Sequence, residues 1–165
     1  MLFNKLKKTN GSKKRITILA PIEGELIPVA EVNDPTFSEE LLGRGVAIRP
    51  AGGRAVSPVN GSVTKMFRTG HAVTLTSDEG VEMLIHVGLN TVELNGEHFT
   101  KRVDTGDSVK TGDVLVEFDL AGITGAGYET VVPVVVCNSD DFSGFEVRNE
   151  KAVSEGEEII FLTGK

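Results

Sequence analysis

The stretch His71-Ala-Val-Thr-Leu-Thr76, Ser77-Asp-Glu-Gly80, Val81-Glu-Met-Leu-Ile-His86 decides the fold. Two segments rich in β-branched and apolar residues flank four turn formers, which is the pattern of an antiparallel hairpin. A loop of two or four residues centred between Asp78 and Glu79 pairs residues whose numbers sum to 157, and His71 then lies directly opposite His86. Opposed residues share a face of the sheet, with Cβ atoms roughly 4.5–5.5 Å apart. The same register sets Thr69 opposite Gly88 and puts Leu84 and Val73 on that side. A three- or five-residue loop would shift the register and scatter the group.

Outward from the hairpin, the strand pattern continues. Arg15–Leu19, Val46–Ile48 and Val114–Phe118 alternate in the same way. The 19 glycines and 6 prolines cut the chain into short apolar pieces. The best helical segment is Ser38–Leu42, short and stopped by Gly43. Two echoes support a pseudo-repeated β architecture. Ala20-Pro-Ile-Glu-Gly24 recurs as Ser57-Pro-Val-Asn-Gly61, each before a strand-like segment. Val-x-x-Gly-acid occurs at Val103–Asp107, Val109–Asp113 and Val153–Glu157, where a glycine able to take positive φ precedes a strand. The expected architecture is all-β, an antiparallel sandwich or barrel-sandwich of many short strands with one or two short helical turns. Residues 16–165 read as one domain behind a basic tail, 1–15.

Composition agrees with a soluble globular domain of 165 residues, 39% hydrophobic and 25% charged. The apolar runs are too short to span a bilayer as helices, and lysines interrupt any signal-peptide core near the start. One cysteine, Cys137, ends the apolar run Val-Val-Pro-Val-Val-Val-Cys and reads as a buried small hydrophobe rather than a catalytic thiol. The formal net charge is −7, and the six bases among residues 1–15 leave the remainder at net −13. So acidic a body repels nucleic acid and suits a basic protein partner. In the tail, Leu2, Phe3 and Leu6 fall near one helical face among lysines, a candidate contact with anionic lipid against the plainer reading of a solvated terminus.

Nucleophile elbows, phosphate-binding loops, dinucleotide fingerprints and zinc-type cysteine clusters are absent. The histidines remain. Neutral imidazole is a good nitrogen nucleophile near neutral pH, and phosphoryl transfer demands mainly positioning and charge stabilisation. One histidine can attack while its neighbour and a Thr hydroxyl donate to phosphate oxygens, with Gly88 leaving room. Metal binding by the pair, or an exposed pair with no task, are the alternatives. A zinc peptidase with a His-x-His pair is disfavoured because His86-Val-Gly88 has glycine at the second position, and catalytic zinc needs three protein ligands. A biotinyl or lipoyl carrier is disfavoured because Lys65-Met66 follows Thr64 with no tight turn around it.

Gly80-Val-Glu-Met-Leu-Ile-His86-Val-Gly88-Leu-Asn-Thr91-Val92 resembles the histidine signature of the glucose-type IIA family of the sugar phosphotransferase system. The start Met-Leu-Phe-Asn-Lys-Leu-Lys, Ala20–Glu25, Ala55–Ser62, Gly112–Asp119 and Pro133–Val136 are similar to the family in order, so the resemblance covers nearly the whole chain.

The resemblance implies a cytoplasmic β-sandwich phosphocarrier with its active histidine in a shallow, apolar-rimmed depression and no required cofactor. His86 would accept the phosphoryl group as a tele-phosphohistidine. His71 would bind the phosphoryl oxygens, with Thr69 supporting it. The implied donor is the phosphorylated carrier HPr and the acceptor a cysteine of a IIB domain. Asp34 matches an acid that faces a basic HPr residue, and Phe37, Leu41, Leu42, Phe67 and Leu84 match the docking rim. Without the family, Phe37, Leu41 and Leu42 read as core, while Leu84 shares the His86 face. Asn90 departs from the commoner Asp near the HPr surface, which bears on donor affinity. Ala121–Gly127 is glycine-rich where some relatives look more helical, and His98 lies outside the signature as a surface residue. A chiefly regulatory role, binding target proteins according to phosphorylation, is the alternative within the family. Zinc between His71 and His86, completed by a partner's carboxylate, is a further one.

Overall fold

The computed structural model describes residues 14–164. Fourteen strands form three antiparallel sheets among these residues. The largest has eight strands: β13 (Ala152–Val153), β2 (Gly24–Pro28), β3 (Arg44–Pro50), β11 (Val132–Val136), β7 (Glu82–His86), β6 (Ala72–Ser77), β5 (Gly61–Met66) and β9 (Ser108–Val109), in that spatial order. β14 (Glu158–Gly164) lies between β1 (Arg15–Leu19) and β12 (Phe142–Val147). β10 (Val114–Phe118) lies between β4 (Arg54–Val56) and β8 (Phe99–Lys101). Two short helices, α1 (Pro35–Ser38) and α2 (Leu120–Gly125), and three single 3-10 turns complete the fold. No helix among the described residues is long and apolar enough to cross a membrane. The proposed lipid-contacting residues of the tail lie outside the described residues; of the segment 1–15, Arg15 opens β1 and pairs with Thr163.

Both sequence echoes are structural. Gly24 and Gly61 open β2 and β5, and a Cβ at either would lie 2.1 Å from a carbonyl oxygen, of Arg49 or of Thr76. In the Val-x-x-Gly-acid turns Gly106, Gly112 and Gly156 all hold φ near +90°. The acid that follows closes the turn: Asp104, Lys110 and Ser154 donate their backbone N–H groups to the carboxylates of Asp107, Asp113 and Glu157 at 2.8, 2.9 and 2.7 Å. The acid is thus as much part of the motif as the glycine, satisfying a donor that the turn would otherwise leave unpaired.

The eight-stranded sheet is apolar on both faces, which positions the site. Alternate residues Leu26, Val46, Ile48, Val73, Leu75, Met83, Ile85, Val132, Val134 and Val136 face the main core, which the two smaller sheets close with Ile18, Leu115, Ile160 and Leu162. The residues between them, Ile27, Ala47, Ala72, Leu84 and Val135, build a second cluster with Val32, Phe37, Leu89 and partly buried Phe67. Each fully buried Val, Leu or Ile contributes about 1.5–3 kcal/mol, so both faces of the sheet are held.

Two local expectations are corrected, the bounds of the first helix and the burial of Cys137, and the glycine-rich segment takes a definite form. The helix begins three residues before the expected Ser38–Leu42 and ends at Ser38, because Asp34 caps it through Thr36 N–H at 3.0 Å and Pro35 pre-sets the first turn. The segment from Leu120 to Gly125 is helical despite its glycines, since Asp119 caps it through the Gly122 N–H. Cys137 is exposed: the buried run ends with β11 at Val136, and Cys137 is the first residue beyond it.

Candidate active site

The hairpin exists, but in the next register. Ala72, not His71, pairs with His86, and Thr76 pairs with Glu82. Ser77 donates its N–H to the Val81 carbonyl, so the loop is the three residues Asp78–Gly80, closed by Gly80 at φ +88°. This is the three-residue hairpin with a left-handed glycine at its last position. Val73 consequently faces the main core opposite Ile85, and Leu84 pairs with Thr74.

His71 still meets His86, for a different reason. It stands outside β6, as the last residue of the Arg68–His71 turn between β5 and β6, where Phe67 N–H bonds to the Ala72 carbonyl and Gly70 takes φ +76°. Strand alternation does not govern a turn residue. The two imidazoles meet edge to face, 5.1 Å between centroids and 82° between planes. Phe67 lies 5.5 Å from His71 and Phe37 lies 5.2 Å from His86, so apolar rings flank the pair. Thr69 does not stand opposite Gly88 in a ladder; its hydroxyl is 2.6 Å from His71 Nδ1.

His86 Nδ1 lies 2.7 Å from the Gly88 carbonyl oxygen. A carbonyl can only accept, so Nδ1 carries the proton and Nε2 keeps its lone pair. Gly88 does not serve by leaving room, as its sequence position suggested. Its φ of +80° turns its carbonyl back onto His86, and a Cβ there would lie 2.5 Å from Thr91 Cγ2 and 2.8 Å from the Glu129 carbonyl oxygen. Asn90 takes φ +60°, a conformation Asn tolerates well, and precedes the 3-10 turn Thr91–Leu94 without a side-chain capping bond.

Burial lowers both histidines. His71, only 4% exposed, falls to about 4, through desolvation first and then the neighbouring His86. His86 is also lowered, chiefly by desolvation, against which the Gly88 hydrogen bond and the charge of Asp34 hold it up. Both rings are therefore neutral near pH 7, the state a nitrogen nucleophile requires. Asp34 has two tasks, since the carboxylate whose charge reaches His86 also caps α1.

The rim splits. Leu41 is 67% exposed and Leu42 is exposed, contrary to the core reading of their sequence, because the chain has left α1 and turns at Gly43. Phe37 and Leu84 are buried in the second cluster, and Phe67 is half-buried against it. Leu84 shares the His86 face as expected but not its exposure. Asn90 is exposed and Asp34 partly so. Among the described residues no three of His, Cys, Asp and Glu gather as metal ligands, which leaves His71 and His86 at most half a zinc site. The Gly88 carbonyl and Thr91 were missed as site elements; both belong to the signature stretch, but the signature says nothing of backbone direction. His98 lies apart from this group, half-buried and 3.8 Å from Asp119.

A model of the family "phosphoenolpyruvate-dependent sugar phosphotransferase system, EIIA 1" matches residues 16–142. The glucose-specific EIIA component of Oceanobacillus iheyensis is 43% identical over 162 residues, 97% of each chain. The β-glucoside-specific EIIBCA component of Bacillus subtilis is 46% identical over 149 residues, 90% of this chain and 24% of that longer one. The solved structure of glucose permease IIA from Mycoplasma capricolum superposes with a TM-score of 0.83 at 33% identity, over 90% of this chain and 96% of that one. The chain belongs to the EIIA 1 family of the phosphoenolpyruvate-dependent sugar phosphotransferase system and is a phosphotransferase component of it.

Proposed function

We propose that the chain is the cytoplasmic phosphocarrier that takes a phosphoryl group from phosphorylated HPr onto His86 and hands it to a cysteine of a IIB domain. The observation that carries the assignment of the acceptor atom is the hydrogen bond from His86 Nδ1 to the Gly88 carbonyl, which leaves Nε2 as the nucleophile. In the transfer, Nε2 forms the new N–P bond as the donor's P–N bond breaks, and the electron pair of that bond returns to the donor's ring nitrogen. The imidazolium character that develops on His86 is met at Nδ1–H by the Gly88 oxygen. Onward transfer to the thiolate reverses the roles. The B, C and A components named together in the Bacillus subtilis relative support IIB as the acceptor.

His71 acts on the phosphoryl oxygens. With the Thr69 hydroxyl donating to Nδ1, the proton of His71 stays on Nε2, where it can be donated. An arriving dianion also favours protonation of a ring that is neutral in the free protein. Exposed Leu41 and Leu42, which follow the helix carrying Phe37, offer an apolar landing surface, and Asp34 a charge for a basic donor. No cofactor enters this chemistry.

The test is incubation with phosphoenolpyruvate, enzyme I and HPr, read by intact mass. Wild type gains an acid-labile phosphoryl mass and His86→Ala does not. A folded wild-type chain that gains none from competent HPr overturns the proposal.

A further inference from the structure

The loop that follows His86 contains a side chain which the phosphocarrier reading leaves unused. Thr91 is fully buried, and its hydroxyl donates to the Val87 carbonyl four residues back at 2.5 Å. Its methyl group occupies the space beside Gly88, where a Cβ would come within 2.5 Å of it. Two backbone bonds tie the same loop to the neighbouring segment, Gly88 N–H to the Val131 carbonyl at 3.0 Å and Leu89 N–H to the Glu129 carbonyl at 3.1 Å. Val87 N–H in turn bonds to the carbonyl of His71 at 2.7 Å. The peptide that presents its oxygen to His86 Nδ1 is therefore gripped on both sides, and among the described residues Thr91 is the side chain that hydrogen-bonds within this loop.

We propose that Thr91 is a positioning residue that sets the His86 tautomer. It touches neither ring nor phosphoryl group. It acts through the Gly88 carbonyl, whose direction depends on the closed turn from Val87 to Thr91. This rests on the reading of His86 as acceptor, because the choice of tautomer decides which ring nitrogen is nucleophilic. Without a fixed acceptor at Nδ1, a neutral imidazole distributes its proton over both nitrogens, and the fraction with a free Nε2 falls. The hydroxyl and the methyl have separable tasks. The first satisfies a carbonyl at a buried turn and carries the effect on the tautomer, and the second only fills space beside Gly88.

The experiment compares wild type with Thr91→Val and Thr91→Ser. Val keeps the methyl shape and removes the donor, while Ser keeps the donor. Nitrogen-15 NMR of the unphosphorylated proteins near pH 7.5 (~1 unit above the ordinary histidine value) reads the tautomer of His86 directly. Wild type and Thr91→Ser show the Nδ1–H form, whereas Thr91→Val shows a mixture with Nε2–H. The rate of phosphoryl uptake from HPr falls about tenfold in Thr91→Val, about 1.4 kcal/mol in the barrier, and recovers to within about threefold in Thr91→Ser. A folded Thr91→Val that keeps the pure Nδ1–H form overturns the proposal. If Thr91→Val does not fold, Thr91→Ala, which also removes the donor, takes its place: a mixture of tautomers there supports the proposal, and a pure Nδ1–H form overturns it. The tautomer reading stands apart from transfer. A wild type that takes no phosphate sinks the acceptor assignment without touching the tautomer comparison.

Discussion

Replacing Gly88 by alanine tests the geometry of the site most directly. Two costs arise. The first is backbone strain, since φ +80° is a left-handed conformation that costs an L-residue about 1–2 kcal/mol. The second is steric, because the new Cβ would meet Thr91 Cγ2 at 2.5 Å and the Glu129 carbonyl at 2.8 Å, and overpacking of this kind costs about 1–3 kcal/mol. Gly112→Ala supplies the control. Its φ is +93°, yet nothing lies within 4 Å of its Cβ, so only the first cost applies. The expected losses are about 2–5 kcal/mol at Gly88 and about 1–2 kcal/mol at Gly112. Urea unfolding measures both, and the excess of about 1–3 kcal/mol corresponds to a midpoint roughly 1 M lower at a slope of 1–3 kcal/mol/M. Because the carbonyl of residue 88 must move to relieve the clash, phosphoryl uptake falls in Gly88→Ala and not in Gly112→Ala. Equal destabilisation by the two substitutions would refute the close approach. Normal uptake by folded Gly88→Ala would refute the role of the Gly88 oxygen.

Stability depends on pH through the buried histidines. The folded His71 value of about 4 lies below its ordinary 6.5, so between these pH values the unfolded chain binds more protons. Stability is full above about 6.5 and falls as the pH drops toward 4, by up to about 3 kcal/mol from His71 alone; His86 is lowered too and acts in the same direction. Unfolding curves from pH 7.5 to 4.5 (~3 units across that window) check this, and the slope flattens in His71→Gln. At the rim, Leu41→Ser changes stability by less than about 0.5 kcal/mol because the side chain is 67% exposed, but raises the KM for HPr several-fold. An unchanged KM removes Leu41 from the docking surface.

The features legible in residue order alone are local. β1 and β10 occupy the segments that alternation indicated; in β1 a single buried face writes its period into the chain, whereas in β10 adjacent Leu115 and Val116 are both buried. The Gly-acid turns were legible for the same reason, since glycine and carboxylate act within four residues. The histidine pair was visible through the signature around His86 and the hairpin that contains it. The register was not recovered, although Gly80 at the end of the loop carried the signal for three residues rather than two or four. That error would have scattered the site if His71 belonged to the strand, yet the β5–β6 turn carries its ring back to His86. Packing decided the rest. Leu84 and Leu41 are both apolar residues near the site, and only the second cluster on the sheet's outer face makes one buried and the other exposed. The tautomer of His86 is tertiary in the same sense, because it depends on the direction of a backbone carbonyl, and a sequence names side chains without saying where the peptides between them point.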